Sequence, residues 1–117
     1  MGGIFRTVGR HVPPPAGVRP PGQWGTRERL EELLGDSVSE LSITQRAYAF
    51  RFRSAEEFTD FFRVNYGPVR KAFEALDEAG QRQLHADLTA LATEHDRGPG
   101  PSVAIPSDYL EVIATHR

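Results

Sequence analysis

An aromatic face on one predicted helix is the feature of this sequence best suited to binding chemistry. Phe58, Phe61, Phe62 and Tyr66 recur at i, i+3, i+4 and i+8, a spacing that brings side chains to one side of a helix. Together with Trp24, these rings could line a pocket for an apolar small molecule. The aromatic face therefore predicts a candidate substrate pocket.

Two arginines close to this face would supply the polar contacts of such a pocket. Arg63 lies within the aromatic helix and Arg70 follows it, so either guanidinium could hold an acidic group of a ligand. The competing interpretation is that the aromatic rings form the hydrophobic core. Trp24, at the end of a proline-rich stretch, would then be an anchor folded back on that core, with ligand stacking as its alternative role.

Residues suited to catalysis or metal binding are sparse. The chain has no cysteine, which excludes thiolate nucleophiles, disulfides and cysteine-ligated zinc. No two histidines lie four residues apart, so no helical histidine pair is available to a metal. The glycine clusters at residues 2–3 and 98–100 do not follow a predicted strand, as a phosphate-binding loop would require. The sequence predicts no catalytic residue, no cofactor-binding residue and no metal site.

One strand-like segment suggests a third kind of chemistry. Residues 46–52 read RAYAFRF, which is similar to the aromatic strand motif of RNA-recognition domains. Ala47 stands where that motif has glycine, Arg51 stands where it has an apolar residue, and no partner aromatic strand lies upstream. Single-stranded RNA binding is therefore a weaker alternative, and we do not expect nucleic acid as a partner.

The composition is that of an ordinary single domain. The chain has 117 residues, 38% of them hydrophobic and 26% charged, with a net charge of −2. This balance gives no basic field for nucleic acid. No segment approaches the ~18 consecutive apolar residues of a membrane span, and the first residues lack the apolar core of a signal peptide. We expect a cytoplasmic protein that does not enter a membrane.

Cap and turn residues divide the chain into its predicted elements. Residues 4–12 form a short amphipathic helix, and a proline-rich connector extends to residue 25. Later helices begin after Thr26, after Ser54 with Glu57 three residues on, at Pro68 and after Asp77. Strands are predicted over residues 36–45, at residues 48–52 and within residues 102–117. The predicted fold is α+β, with about three mostly antiparallel strands and four or five helices.

The first two predicted strand segments have different parity. Leu41 and Ile43 are odd-numbered, whereas Tyr48, Phe50 and Phe52 are even-numbered, so a single regular strand would turn the two sets to opposite faces. Either a bulge near residues 45–46 switches the register, or both faces of the sheet are covered.

The order of several short phrases resembles the C-terminal region of class I S-adenosylmethionine-dependent methyltransferases of the ubiquinone/menaquinone-biosynthesis-like, type 11 group. The phrases are FRTVGRHVPPP (5–15), WGT (24–26), LEELLGD (30–36), FRFRSAEEF (50–58), YGP (66–68) and PSDYLEV (106–112). They cover nearly the whole chain. The resemblance implies an N-terminal part over residues 1–25 and a methyltransferase-like C-terminal domain over residues 26–117, with residues 54–97 as a helical lid over the substrate.

The same resemblance implies what the chain lacks. In that family the glycine-rich loop and the acidic residue that hold S-adenosylmethionine lie in an N-terminal half with no counterpart here. The chain alone is then expected to bind no cofactor and to be inactive. Its bare strand edge and aromatic face predict a homodimer or pairing with a separate methyltransferase half. The alternative is a non-enzymatic module for small-molecule binding or assembly.

Overall fold

The structure is a computed structural model that describes all residues from 1 to 117. It confirms the α+β class, with five α-helices and one antiparallel sheet of two strands. The elements are α1 (Gly2–His11), α2 (Arg27–Leu34), β1 (Val38–Phe52), α3 (Ala55–Asn65), α4 (Gly67–Ala75), α5 (Glu78–His95) and β2 (Val103–His116). Short 3-10 turns cover Pro21–Gly25 and Gly35–Ser37. No helix is both long enough and apolar enough to cross a membrane.

The chain divides into two compact units. Unit 1 comprises Met1–Ala16 and Ala49–Pro106, and unit 2 comprises Gly17–Tyr48 and Ser107–Arg117. Unit 1 therefore holds α1 and the three consecutive helices α3, α4 and α5. Unit 2 holds α2 and most of both strands.

Side-chain caps start the helices where the sequence predicts them. Ser54 Oγ accepts a hydrogen bond from the Glu57 amide at 3.1 Å, and Glu57 Oε2 accepts one from the Arg53 amide at 2.6 Å. The first contact satisfies an amide that the first turn of α3 leaves without a helical partner, and the second satisfies the amide of the residue just before the cap. Asp77 Oδ1 caps α5 through the Gly80 amide at 2.8 Å. Local sequence thus determines where these helices begin.

The hydrophobic core belongs to unit 1. It is built on helices α3, α4 and α5, with Ile4 of α1 and the first residues of β2 added to it. The most deeply buried apolar residues, each at most 1% exposed, are Val69, Leu84, Leu88 and Ala92. The buried Thr59 hydroxyl is also paired there, because its Oγ1 lies 2.9 Å from Oγ1 of the half-buried Thr89. Hydrogen bonding removes most of the cost of burying these polar groups.

Unit 2 has almost no core of its own. Leu30 is its one fully buried apolar residue, at 5% exposure. The prediction that Trp24 anchors on a core is wrong, since the indole is 65% exposed on the short turn Pro21–Gly25. The physical reason is that unit 2 buries too little apolar surface to accommodate an indole.

The expectation of about three strands is not confirmed. The two segments predicted upstream of Ser54 form one continuous strand, β1, and this strand pairs with β2. Leu41 and Ile43 are half-buried in unit 2, whereas Phe50 and Phe52 are half-buried against the core of unit 1. The parity change therefore falls where the strand passes from one unit to the other, along a stretch of exposed residues.

Candidate functional site

An open depression at the surface of unit 1 contains both arginines of the predicted pocket. Its volume is about 440 Å³, and three helices contribute to its walls. The lining residues are Arg63 and Val64 of α3, Arg70, Phe73 and Glu74 of α4, and Gln81 of α5. The two helices are separated by Tyr66 alone, and both guanidinium groups lie at the same depression.

Arg63 is the cation of this depression that has no carboxylate partner. Its guanidinium carbon lies 4.4 Å from the centre of the Phe73 ring, within the range of a cation–π interaction. Its Nη2 donates to Gln81 Oε1 at 3.2 Å. These two contacts orient the guanidinium without neutralising its charge, which leaves it able to bind an anion.

Gln81 is itself held by the end of helix α4. Its Nε2 donates to the carbonyl oxygen of Phe73 at 2.9 Å and to that of Leu76 at 3.1 Å. These carbonyls lie at the C-terminal end of the helix, where few amide donors remain, although the Phe73 carbonyl also accepts from the Leu76 amide. Because Nε2 faces the carbonyls, Oε1 must face the other way, toward Arg63. One side chain thus closes a helix end and positions the arginine.

Arg70 is more strongly engaged. Its Nε donates to Glu74 Oε1 at 3.0 Å, and Lys71 Nζ donates to Glu74 Oε2 at 2.9 Å. The hydrogen bonds from Lys71 and Arg70 lower the pKa of Glu74 below its ordinary value. Two cations share one carboxylate here, so the local charge on α4 remains positive.

The predicted aromatic residues do not line this depression. Phe58 and Phe62 are buried in the core, at 3% and 4% exposure. Tyr66 is half-buried, with its ring centre 5.8 Å from that of Phe62. Phe61 is 47% exposed, and its ring centre lies 5.4 Å from that of Phe52. The aromatic face of α3 thus packs mainly against core residues, and Trp24 belongs to the other unit.

The strand motif that suggests RNA binding is divided in the same way. Phe50 and Phe52 direct their rings at the core. The ring centre of Phe50 lies 5.8 Å from that of Phe62, and the ring centre of Phe52 lies 5.6 Å from that of Phe58. Tyr48 is 59% exposed. Of the three aromatic residues in the motif, one thus presents most of its surface to solvent, whereas base stacking commonly uses several rings.

The depression offers an oriented cation beside apolar side chains. Its lining includes no cysteine, serine or histidine, and the Glu74 carboxylate is held ionised by its cations. The arrangement suits a carboxylate or phosphate contacted by Arg63, with Phe73 and Val64 as apolar neighbours.

Two residues of the depression carry no distinctive signal in the sequence. Phe73 belongs to a helical apolar stripe, and its ring is buried at 3% exposure although its face meets Arg63. Gln81 is one of many polar residues on α5. Its role depends on the packing of α5 against the end of α4, which no local pattern specifies.

Comparison with known proteins gives relatives but no family. No protein-family profile matches the sequence. The chain is 29% identical over 112 residues to an uncharacterized protein of Mycobacterium tuberculosis (strain H37Rv), and equally to one of Mycobacterium bovis. The match covers 94% of this chain and 36% of each relative, so the chain spans about a third of the length of the curated relatives it matches.

Proposed function

We propose that this chain is the substrate-covering portion of an S-adenosylmethionine-dependent methyltransferase-like protein. The proposal is supported by the six short sequence segments between residues 5 and 112 that resemble this group of methyltransferases, in the same order. Helices α3, α4 and α5 lie between β1 and β2 in sequence, within the range 54–97 that the resemblance assigns to a lid. The relatives are nearly three times as long as the matched segment, which leaves room in them for a cofactor-binding half.

The residues present do not fit S-adenosylmethionine. The turn that leads from strand β1 into helix α3 consists of Arg53 and Ser54, without a glycine that would allow close approach of a ligand to the backbone. Arg53 lies in this turn and Arg51 lies near the end of β1, and basic side chains cannot accept hydrogen bonds from ribose hydroxyls. In this proposal the cofactor is held entirely by residues outside the chain.

The exposed apolar surface of unit 2 is the observation that carries the proposal. Trp24, Tyr109 and Ile113 are each more than half exposed, while Leu30 alone is fully buried. A two-stranded sheet is marginally stable in water without further strands or a covering layer. Such a surface is typical of a segment that completes its packing on another part of a protein.

Calorimetric titration of S-adenosylmethionine into two proteins tests this proposal. We expect no binding to this chain and micromolar binding to the full-length M. tuberculosis relative. Binding to the chain itself would show that the cofactor half is misassigned. Absence of binding to both proteins would remove the methyltransferase assignment altogether.

A second candidate function is supported by the depression around Arg63. We propose that the chain binds a small molecule that carries an acidic group, as a non-enzymatic module. The guanidinium is oriented by Phe73 and Gln81 yet has no carboxylate partner. An arginine held in place in this way loses less side-chain entropy when it binds an anion.

Nuclear magnetic resonance can observe this site directly, because the side-chain amide of Gln81 gives its own signals. Titration with benzoate and with inorganic phosphate should shift the Gln81 signals. The Arg63→Gln variant should raise the dissociation constant obtained from these shifts about tenfold or more. Arg82→Gln is the matched control, since Arg82 is an exposed arginine on the same helix as Gln81. Equal responses from the two variants would contradict the assignment.

A further inference from the structure

The outer edge of strand β1 is unpaired along unit 2. The sheet has two strands, so β1 bonds to β2 on one side only. The residues from Thr44 to Tyr48 are all exposed, as are Ser39, Glu40 and Ser42. The Val38 carbonyl accepts a hydrogen bond from Arg117 Nε at 2.9 Å, so the backbone available for pairing with another strand is that from Ser39 to Ala47.

Strand β1 also lacks the features that usually protect an edge. The segment from Val38 to Tyr48 contains no proline, no glycine and no lysine. Its two charged residues are Glu40 and Arg46, which have opposite signs. Strand β2 differs, because it contains Pro106 and carries Asp108 and Glu111 without a basic residue before His116. Two copies of β2 would thus bring carboxylates of like charge together.

The positions of the two charges make β1 complementary to itself. Consider an antiparallel pairing about a two-fold axis at Ile43. A residue a given number of positions before Ile43 then lies opposite the partner residue the same number of positions after Ile43. Glu40 and Arg46 are each three positions from Ile43. Glu40 therefore lies opposite the partner's Arg46, and Arg46 lies opposite the partner's Glu40.

Most of the remaining pairs in this register join side chains of like character, the exception being Leu41 opposite the partner's Gln45. Val38 lies opposite the partner's Tyr48, Ser42 lies opposite the partner's Thr44, and Ile43 meets its own counterpart on the axis. Apolar, hydroxyl and opposite-charge pairs of this kind stabilise neighbouring strands. No like charges face each other across the pair.

The ion pair already present in the chain does not oppose this arrangement. Arg46 Nη2 donates to Glu111 Oε1 at 3.0 Å, and the Arg46 side chain remains about half exposed. A guanidinium has five N–H donors, so it can serve carboxylates on both sides. The Glu40 side chain has no hydrogen-bond or ion-pair partner within the chain.

We propose that two copies of this chain associate through β1, in antiparallel register about Ile43, to form a continuous four-stranded sheet. The partner is a second copy because the charges of the edge match those of an identical edge. A four-stranded sheet also exceeds the three strands needed for independent stability. The proposal does not depend on the methyltransferase assignment.

A cross-linking experiment tests the register. The chain has no cysteine, so a single introduced thiol can form a disulfide only with the same residue of a second copy. Ile43→Cys should form an intermolecular disulfide under mild oxidation, because directly opposed residues have Cα atoms about 4.5–5.5 Å apart. Ser39→Cys is the control, since it would lie opposite the partner's Ala47 and far from its own counterpart. Equal cross-linking of both variants, or of neither, would overturn the register.

Charge reversal tests the same contact in solution by light scattering. The wild-type chain should have a mass near 26 kDa, twice its 13.0 kDa. Glu40→Arg alone, or Arg46→Glu alone, should raise the dissociation constant about tenfold or more, because each places like charges opposite one another. An equimolar mixture of the two variants should restore the dimer, since every facing pair is then opposite in charge.

The mixture separates loss of the contact from loss of folding, because misfolded chains would not reassociate on mixing. Glu78→Arg and Arg82→Glu are matched controls on helix α5 and should leave the mass unchanged. A wild-type chain that stays at 13.0 kDa at micromolar concentration would overturn the proposal and would favour a different protein as the occupant of the edge. A dimer that is insensitive to both reversals would also overturn it.

Discussion

Replacement of Gln81 tests whether one amide both closes helix α4 and orients the candidate anion site. In Gln81→Ala, the carbonyls of Phe73 and Leu76 lose the side-chain donor that lies 2.9 and 3.1 Å away. The Phe73 carbonyl keeps a second donor, the Leu76 amide at 3.3 Å. The loss therefore falls mainly on the Leu76 carbonyl. A net value of about 1 kcal/mol per hydrogen bond gives a destabilisation of about 1–2 kcal/mol.

The Gln81→Glu variant removes the N–H donor of the Gln81 side chain but keeps the oxygen that accepts from Arg63. The carboxylate keeps an oxygen for Arg63 but directs a second oxygen, instead of an N–H, toward the two carbonyls. We expect this variant to be at least as destabilised as Gln81→Ala at neutral pH and to recover as acid protonates the new carboxyl group. The recovery follows because a carboxylic acid can donate one hydrogen bond where the carboxylate cannot.

Urea unfolding at constant temperature measures both variants, with Gln83→Ala as the control. Gln83 is exposed on the same helix and bonds only to Asp87, so its loss should change the unfolding free energy by about 0.5 kcal/mol or less. Equal unfolding free energies of Gln81→Ala and Gln83→Ala would contradict this role of Gln81. A Gln81→Glu variant more stable than the wild-type chain at neutral pH would contradict it as well.

Three further predictions concern the core, a cap and an ion pair. Leu84→Ala should cost about 2–5 kcal/mol in urea unfolding because Leu84 is fully buried, whereas Val64→Ala, at a 67% exposed position, should cost about 0.5 kcal/mol or less. Ser54→Ala should cost about 1 kcal/mol through loss of the α3 cap, and circular dichroism against temperature should show a lower midpoint. The hydrogen bond from His11 at 2.6 Å lowers the pKa of Asp87, so its contribution to stability is present above the unfolded-state pKa and is lost as the pH falls through the lower folded-state value. Unfolding free energies measured from about pH 5 to about pH 2 should therefore fall more steeply for the wild-type chain than for Asp87→Asn, and equal slopes would contradict the role of this pair.

The helices were predictable because their signals are local. Thr26, Ser54 and Asp77 each cap a helix, and Pro68 lies in the first turn of α4, as their sequence positions indicate. A cap needs only a side-chain oxygen within three residues of the amide it satisfies, so a short window of sequence contains the whole interaction.

The candidate site was predictable only in part. Arg63 and Arg70 were predicted to contact an acidic group of a ligand, and both line one depression. The aromatic residues predicted beside them lie mostly in the core, because a helix face rich in phenylalanine gains more from burial than from lining an open surface. Gln81 was not identified, since its partners are carbonyls at the end of another helix.

The sequence alone determined the class of the fold, the starts of its helices and the lack of cysteine chemistry, because these follow from residue type and short-range spacing. The tertiary structure decided which apolar residues are buried. It buried Phe58 and Phe62, left Trp24 exposed, and joined two predicted strand segments into the single strand β1. Burial depends on what the rest of the chain brings to each residue, and no short stretch of sequence contains that information.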